Sequence, residues 1–158
     1  MIKVAILTVS DSCSQGHRED VSGQTIKEIL LADKFEICEY KVVADEKEGI
    51  KKELIHFADN AKAHIIFTTG GTGLGPRDVT PEATTEVCKK MVPGLPEAMR
   101  AEGLKKNRNA ILSRAAAGIR GKTLIINLPG SPKAVKESLD VVLNVLDHAV
   151  DMMAGLGH

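Results

Sequence analysis

Tryptophan is absent from this chain of 158 residues, tyrosine occurs once and phenylalanine three times. The core must therefore be aliphatic, and the aromatic stacking platforms of single-strand nucleic-acid binders are missing. An excess of one charge is also lacking: 21 basic and 21 acidic residues give a formal net charge of zero. A general polyanion binder needs a basic excess, so no nucleic-acid partner is expected, while a local basic pocket for a small phosphorylated ligand stays open. The three cysteines, Cys13, Cys38 and Cys88, form no CxxC pair, and neither a zinc ribbon nor a thioredoxin-like site is signalled. An odd, scattered set suits a reducing cytosol. No apolar run approaches the roughly 20 residues that span a bilayer. The opening MIKVAILTVS lacks the charged start and cleavage site of a signal peptide. The expectation is a cytoplasmic protein with no membrane partner.

What is present suits a single domain over residues 1–158. The run IKVAILTV (2–9) reads as a buried strand and SGQTIKEILLAD (22–33) as a helix that Ser22 can cap. FEICEYKVVA (35–44) is a second strand. EKEGIKKELIHFADNA (46–61) sets Ile50, Leu54, Ile55 and Ala58 on one helical face. AHIIFTT (63–69) is a third strand. This β-α-β-α-β rhythm predicts a parallel sheet with helices on its faces. Beyond it, Thr80 as cap and Pro81 at the first position start a helix over 81–92, which Pro93 and Gly94 end. A further helix is expected over 95–106, and extended runs at about 114–119 and 122–127 flank Gly121. The clearest helix covers 131–156, with Ser131 as cap, Pro132 first, and Val135, Leu139, Val142, Leu146, Ala149 and Met153 on one face.

In parallel α/β sheets, ligands sit beyond the carboxyl ends of the strands. Four loops leave strands there: SDSCSQG, ADE, TTGGTGLGPRD and NLPGSP. The third is the densest signal. Gly70, Gly71, Gly73 and Gly75 fall within six positions, so the backbone can approach a ligand closely and present successive N–H groups as an anion nest. The helix near Pro81 adds its positive end. No Lys-Ser/Thr follows, so this is not a P-loop. Asp78 beside such a nest repels a phosphate unless a cation such as Mg²⁺ intervenes; as a helix-start carboxylate it needs no metal. Asp45 is open to the same two readings, and so in isolation are Asp11 and Asp20. Ser10, Ser12 and Ser14 can serve a ligand or their own loop. NLPGSPK offers a second turn into a helix N-terminus, and Lys133 in its first turn opposes the helix dipole, which hints at a ligand role. Residues 97–122 hold seven basic side chains (Arg100, Lys105, Lys106, Arg108, Arg114, Arg120 and Lys122) and two acidic ones, either a solvated face or part of a phosphate pocket. His17, His56, His64, His148 and His158 show no metal-ligand spacing.

TVSDSCSQG with the following DVSG, TTGGTG with RDVTPEAT, ILSR, and NLPGSPKAVKE together resemble the molybdopterin adenylyltransferases of molybdenum-cofactor biosynthesis, the MogA/MoaB type. The resemblance covers nearly the whole chain, with the motifs in the expected order. It implies a three-layer α/β sandwich, with a mostly parallel sheet, helices on both faces and one antiparallel edge strand, assembled as a homotrimer. It implies binding of molybdopterin and Mg-ATP, transfer of AMP to the molybdopterin phosphate and release of pyrophosphate. The family's two key aspartates fall on Asp45 and Asp78, which would act in catalysis and hold Mg²⁺, directly or through water. Its ligand loops fall on Ser10, Asp11, Ser12, Ser14 and Gly16, on Gly70, Gly71, Thr72, Gly73 and Gly75 with Arg77, and on Asn127, Pro129, Gly130, Ser131 and Lys133, with Ser113 nearby. A non-catalytic molybdopterin-binding and delivery protein is the alternative. A nucleotide-pyrophosphate hydrolase is a third reading, but it would need a water-activating base beyond those aspartates.

Overall fold

The computed structural model describes residues 1–156, so His158 lies outside the described residues. Six strands form one sheet: β1 (Ile2–Val9), β2 (Phe35–Val43), β3 (Ile65–Thr69), β4 (Lys90–Met91), β5 (Ala117–Arg120) and β6 (Thr123–Leu128). Their order is β2-β1-β3-β6-β5-β4. The first four strands in that order run parallel. β5 runs against β6, and the two-residue β4 runs against β5. The antiparallel element therefore lies next to the edge, with a short closing strand outside it.

Alternation along the strands explains the three layers. On β1, Val4 and Ile6 point to one face, where Ile26, Leu30, Met99, Val135, Leu139 and Val142 cover them. Ala5, Leu7 and Val9 point to the other face, against Ile50, Leu54, Phe57, Ala83 and Val87. The first face carries α2 (Val21–Leu31), α5 (Gly94–Leu104), α6 (Pro132–Val142) and α7 (Leu146–Met153). The second carries α3 (Lys47–Ile55) and α4 (Thr80–Val87). A one-turn helix, α1 (Asp11–Ser14), fills the loop after β1. Each fully buried Ile or Leu contributes about 1.5–3 kcal/mol, and the central strands are such residues almost throughout. Among the described residues no helix is long and apolar enough to cross a membrane.

Register sets the site. Thr8 pairs with Thr69, and Thr69 with Leu128, while Val9 pairs with Val43. Four carboxyl ends thus finish level, and their loops emerge side by side.

Several boundaries differ from those read in the sequence. Asp20, not Ser22, caps α2, its carboxylate accepting the Gly23 N–H at 2.9 Å; Ser22 Oγ instead donates to the Gly130 carbonyl. The helix expected over 46–61 is α-helical to Ile55 and then widens into a π-helical turn, His56–Asn60. Thr80 is not the cap of α4 but its first residue, with Val79 at the cap position; its hydroxyl donates to the Gly70 carbonyl at 3.0 Å. α4 ends at Val87 because Lys89 and Val92 donate to β5, at Ile119 and Ala117. Strand pairing there replaces the last helical turns, and Pro93 precedes α5 rather than ending α4. The last helix breaks at a tight turn, Leu143–Val145, beside the β-branched residues Val141, Val142 and Val145, which weaken a helix.

Candidate active site

The glycine loop lies against the loop after β1 and the start of α4. Gly70 and Gly71 have φ of 96° and 70°, a region barred in practice to other residues. A Cβ at Gly70 would lie 2.3 Å from the Val9 carbonyl oxygen, and one at Gly71 2.2 Å from Thr80 Oγ1. Glycine is therefore required at both. Beyond them, the N–H groups of Gly71, Thr72, Gly73 and Leu74 make no hydrogen bond among the described residues. Four successive donors are left without a protein acceptor, as the anion nest expected from the sequence would require.

Two carboxylates stand at this loop. Asp45 Oδ1 lies 3.3 Å from where a Gly71 Cβ would be, and Asp78 Oδ2 lies 2.9 Å from the corresponding points on Gly73 and Gly75. Asp78 also accepts the Gly75 N–H at 2.9 Å. Asp45 and Asp11 exchange bonds: the Asp11 N–H donates to Asp45 at 2.9 Å and the Asp45 N–H to Asp11 at 3.0 Å. Arg77 holds Asp11 with two bonds of 2.9 and 3.0 Å and reaches Glu46 at 2.9 Å. Burial raises the Asp45 pKa, and the charges of Asp11 and Asp78 push in the same direction against the Asp11 N–H and Arg77. The Arg77 guanidinium and the Asp45 N–H hold the Asp11 carboxyl below its ordinary value. The charges of Asp45 and Asp78 thus oppose each other beside a loop with four free N–H groups, and a cation would relieve that repulsion.

A cavity of about 610 Å³ opens on one side of the loop. Of the residues singled out in the sequence, Thr72, Gly73, Ser113, Pro129, Ser131 and Lys133 line it. Met99, Leu112 and Leu74 add apolar wall, and Lys106 adds a second lysine. A smaller cavity of about 200 Å³ opens on the other side, with Ser10, Gly70 and Gly130 in its wall. Its remaining wall includes Asp20, whose carboxylate accepts bonds from Thr8 and Tyr40. Burial and that carboxylate push the Tyr40 hydroxyl up to about 12.

Asp11, Asp45, Gly71, Gly75, Arg77 and Asp78 stand at the loop but line neither cavity, and Ser12, Ser14, Gly16 and Asn127 line neither as well. Ser14 donates to the Asp11 carbonyl, Ser12 lies in the middle of α1, and Gly16 ends the turn with a φ of 77°. Asn127 is fully buried: its amide donates to Thr68 and Thr84, and its oxygen accepts the Ala116 N–H. That network joins β3, β6 and α4 beneath the loop. The basic cluster divides as well. Lys106 faces the larger cavity. Arg100 donates to the Ser113 and Ala115 carbonyls, Arg120 grips Asp59, and Arg114 grips the glycine loop. The part played by Arg114 was not legible in the sequence, because its partners are remote backbone carbonyls.

The sequence profile of a family described as "Probable molybdopterin binding domain" matches residues 5–148. The chain is 47% identical over 157 residues to a Helicobacter pylori protein named molybdopterin adenylyltransferase, covering 98% of this chain and 89% of that one. It is 38% identical over 156 residues to the Escherichia coli K12 protein of the same name, covering 94% and 80%. The crystal structure of MoaB from Thermus thermophilus, described as a molybdopterin biosynthesis enzyme, superimposes with a TM-score of 0.93 at 52% identity, covering 98% of both chains.

Proposed function

We propose, from the premise that this chain belongs to the molybdopterin-binding domain family whose profile it matches, that it is a molybdopterin adenylyltransferase of molybdenum-cofactor biosynthesis. Relatives that bear this name cover nearly all of it. ATP and molybdopterin are the substrates, and the reaction joins AMP to the molybdopterin phosphate and releases pyrophosphate.

The observation that carries the reading is the placing of Asp45 and Asp78 at a loop with four free N–H groups. A phosphate acceptor is already anionic and needs no general base. The barrier is repulsion between two polyanions, so positioning and charge neutralisation are the work required. The N–H groups of Gly71 to Leu74 receive phosphate oxygens. Lys106 and Lys133 attract the pterin phosphate, and Met99 and Leu112 cover the ring. Among the described residues no group of three His, Cys, Asp or Glu side chains is arranged to hold a metal. Two carboxylates without a full cage suit Mg²⁺, which keeps waters and takes substrate phosphates as its other ligands. Asp45 and Asp78 would hold it, directly or through water. When bound, Mg²⁺ neutralises the polyphosphate and polarises the phosphorus under attack.

The test is incubation with molybdopterin and Mg-ATP, followed by chromatography for adenylylated pterin and released pyrophosphate. Pterin binding without transfer would overturn the enzyme reading and leave a carrier. The proposal extends to a homotrimer, supported by apolar side chains left exposed on and beside the last helix, and to a cytoplasmic setting, supported by three free thiols.

A further inference from the structure

Arg114 makes more bonds to the glycine loop than any residue inside that loop. Its backbone N–H donates to the Thr72 carbonyl at 2.9 Å. Its Nε donates to the Gly73 carbonyl at 2.8 Å and its Nη2 to the Asp78 carbonyl at 2.7 Å. The same guanidinium forks onto Glu82, in the first turn of α4, at 2.7 and 3.1 Å. A planar fork with five fixed donors can satisfy the four side-chain bonds of this set; a lysine ammonium cannot, though it would keep the backbone bond to Thr72.

The consequence follows from peptide geometry. In a trans peptide, the carbonyl of one residue and the N–H of the next point in opposite directions. Holding the Thr72 carbonyl toward Arg114 turns the Gly73 N–H away from it. Holding the Gly73 carbonyl does the same to the Leu74 N–H. Both donors are free, and both residues line the larger cavity. The third bond, at the Asp78 backbone, fixes the residue whose carboxylate stands beneath Gly73 and Gly75. We propose that Arg114 is the positioning residue of this site: from behind the loop, its guanidinium aims the Leu74 N–H at a bound phosphate and sets Asp78 beside it, while its backbone N–H, which any residue but proline would keep, orients the N–H of Gly73. The inference rests on the adenylylation reading for the identity of that phosphate.

Arg120 provides an internal control. It too forks onto a carboxylate, Asp59, at 3.1 and 2.7 Å, and donates to a carbonyl, Val87, at 3.0 Å, but none of its partners belongs to the glycine loop. Arg114→Lys and Arg120→Lys should therefore lower the melting temperature alike. Calorimetric titration with Mg-ATP should show binding weakened about tenfold to a hundredfold in Arg114→Lys only, the scale for losing charge-assisted hydrogen bonds. Equal binding by wild type and folded Arg114→Lys overturns the inference, and so does equal weakening in both variants. Should Arg114→Lys fail to fold, the wild-type amide resonances decide. Titration with inorganic pyrophosphate and Mg²⁺ should shift the Gly73 and Leu74 N–H signals most, and unmoved signals overturn the inference. Failure of the wild-type chain to bind Mg-ATP at all would instead overturn the adenylylation reading, and this inference with it.

Discussion

A carboxylate whose ionised form the fold resists is a poor choice for stability and a good one for holding a cation. Asp45 is such a group: burial and two neighbouring carboxylates raise its pKa. A raised acid pKa means that the folded state binds the proton more tightly than the unfolded chain, so ionised Asp45 destabilises the fold above its ordinary pKa. Asp45→Asn should therefore melt at or above the wild-type temperature at neutral pH. The difference should shrink as pH falls through the folded-state pKa, where the wild-type carboxyl is protonated too. Adenylyl transfer should fall by a factor of order a hundred or more, the scale of losing one charge-stabilising group. Asp78→Asn should lose transfer similarly. Melting curves across pH and AMP-transfer assays check both; near-wild-type transfer by Asp78→Asn would sink the two-carboxylate mechanism. Residue types and order left Asp45 and Asp78 open between helix-start carboxylate and metal holder; only the family resemblance singled them out. Asp11 was harder to place, because its partner Arg77 is brought to it only by folding, and Arg114 was one cation among seven until its carbonyl partners were known.

At the scale of elements, the glycine loop was legible because four glycines in six positions exceed the needs of a turn, whereas the limits of α4 were not. Residues 88–91 carry no mark that separates a fraying helix from an edge strand; pairing with β5 decides it. The loop itself makes graded predictions. Gly71→Val places a β-branched side chain at φ 70°, with its Cβ 2.2 Å from Thr80 Oγ1, so both strain and overlap oppose folding. It should cost at least about 1–3 kcal/mol of stability. Gly73→Val lacks the positive φ and meets only the Asp78 carboxylate, at 2.9 Å. It should fold and melt within a few degrees of wild type, but with Asp78 displaced and nucleotide binding reduced. Normal Mg-ATP binding by folded Gly73→Val, measured by calorimetry, would remove the nest from the mechanism. Asp20→Ala addresses the element before it: it removes the cap of α2 and should cost about 1 kcal/mol for that alone, read by chemical denaturation.

For the whole molecule, level strand ends are what turn four separate loops into one site, and the short apolar, β-branched runs of β1 and β3, set between helical patterns, made that sheet legible from the sequence. The expectation of a trimer rests on resemblance alone, because no single segment announces an interface. The structure adds a physical reason to expect one. Val145, Met152 and Leu156 are 45%, 49% and 74% exposed; Val145 lies in the turn before the last helix, Met152 on that helix and Leu156 just beyond its end. That helix fully buries only Leu146 and leaves Met152 half exposed. Exposed apolar side chains on and beside one short helix are a candidate contact stripe. If this stripe joins the subunits, Met152→Asp introduces a charge that association would have to desolvate, while the monomer's core is untouched. Light scattering should then report the mass of one chain for the variant and three for the wild type, with unchanged circular dichroism. A variant that remains trimeric would move the interface elsewhere, and a wild type that is monomeric at micromolar concentration would refute the trimer itself.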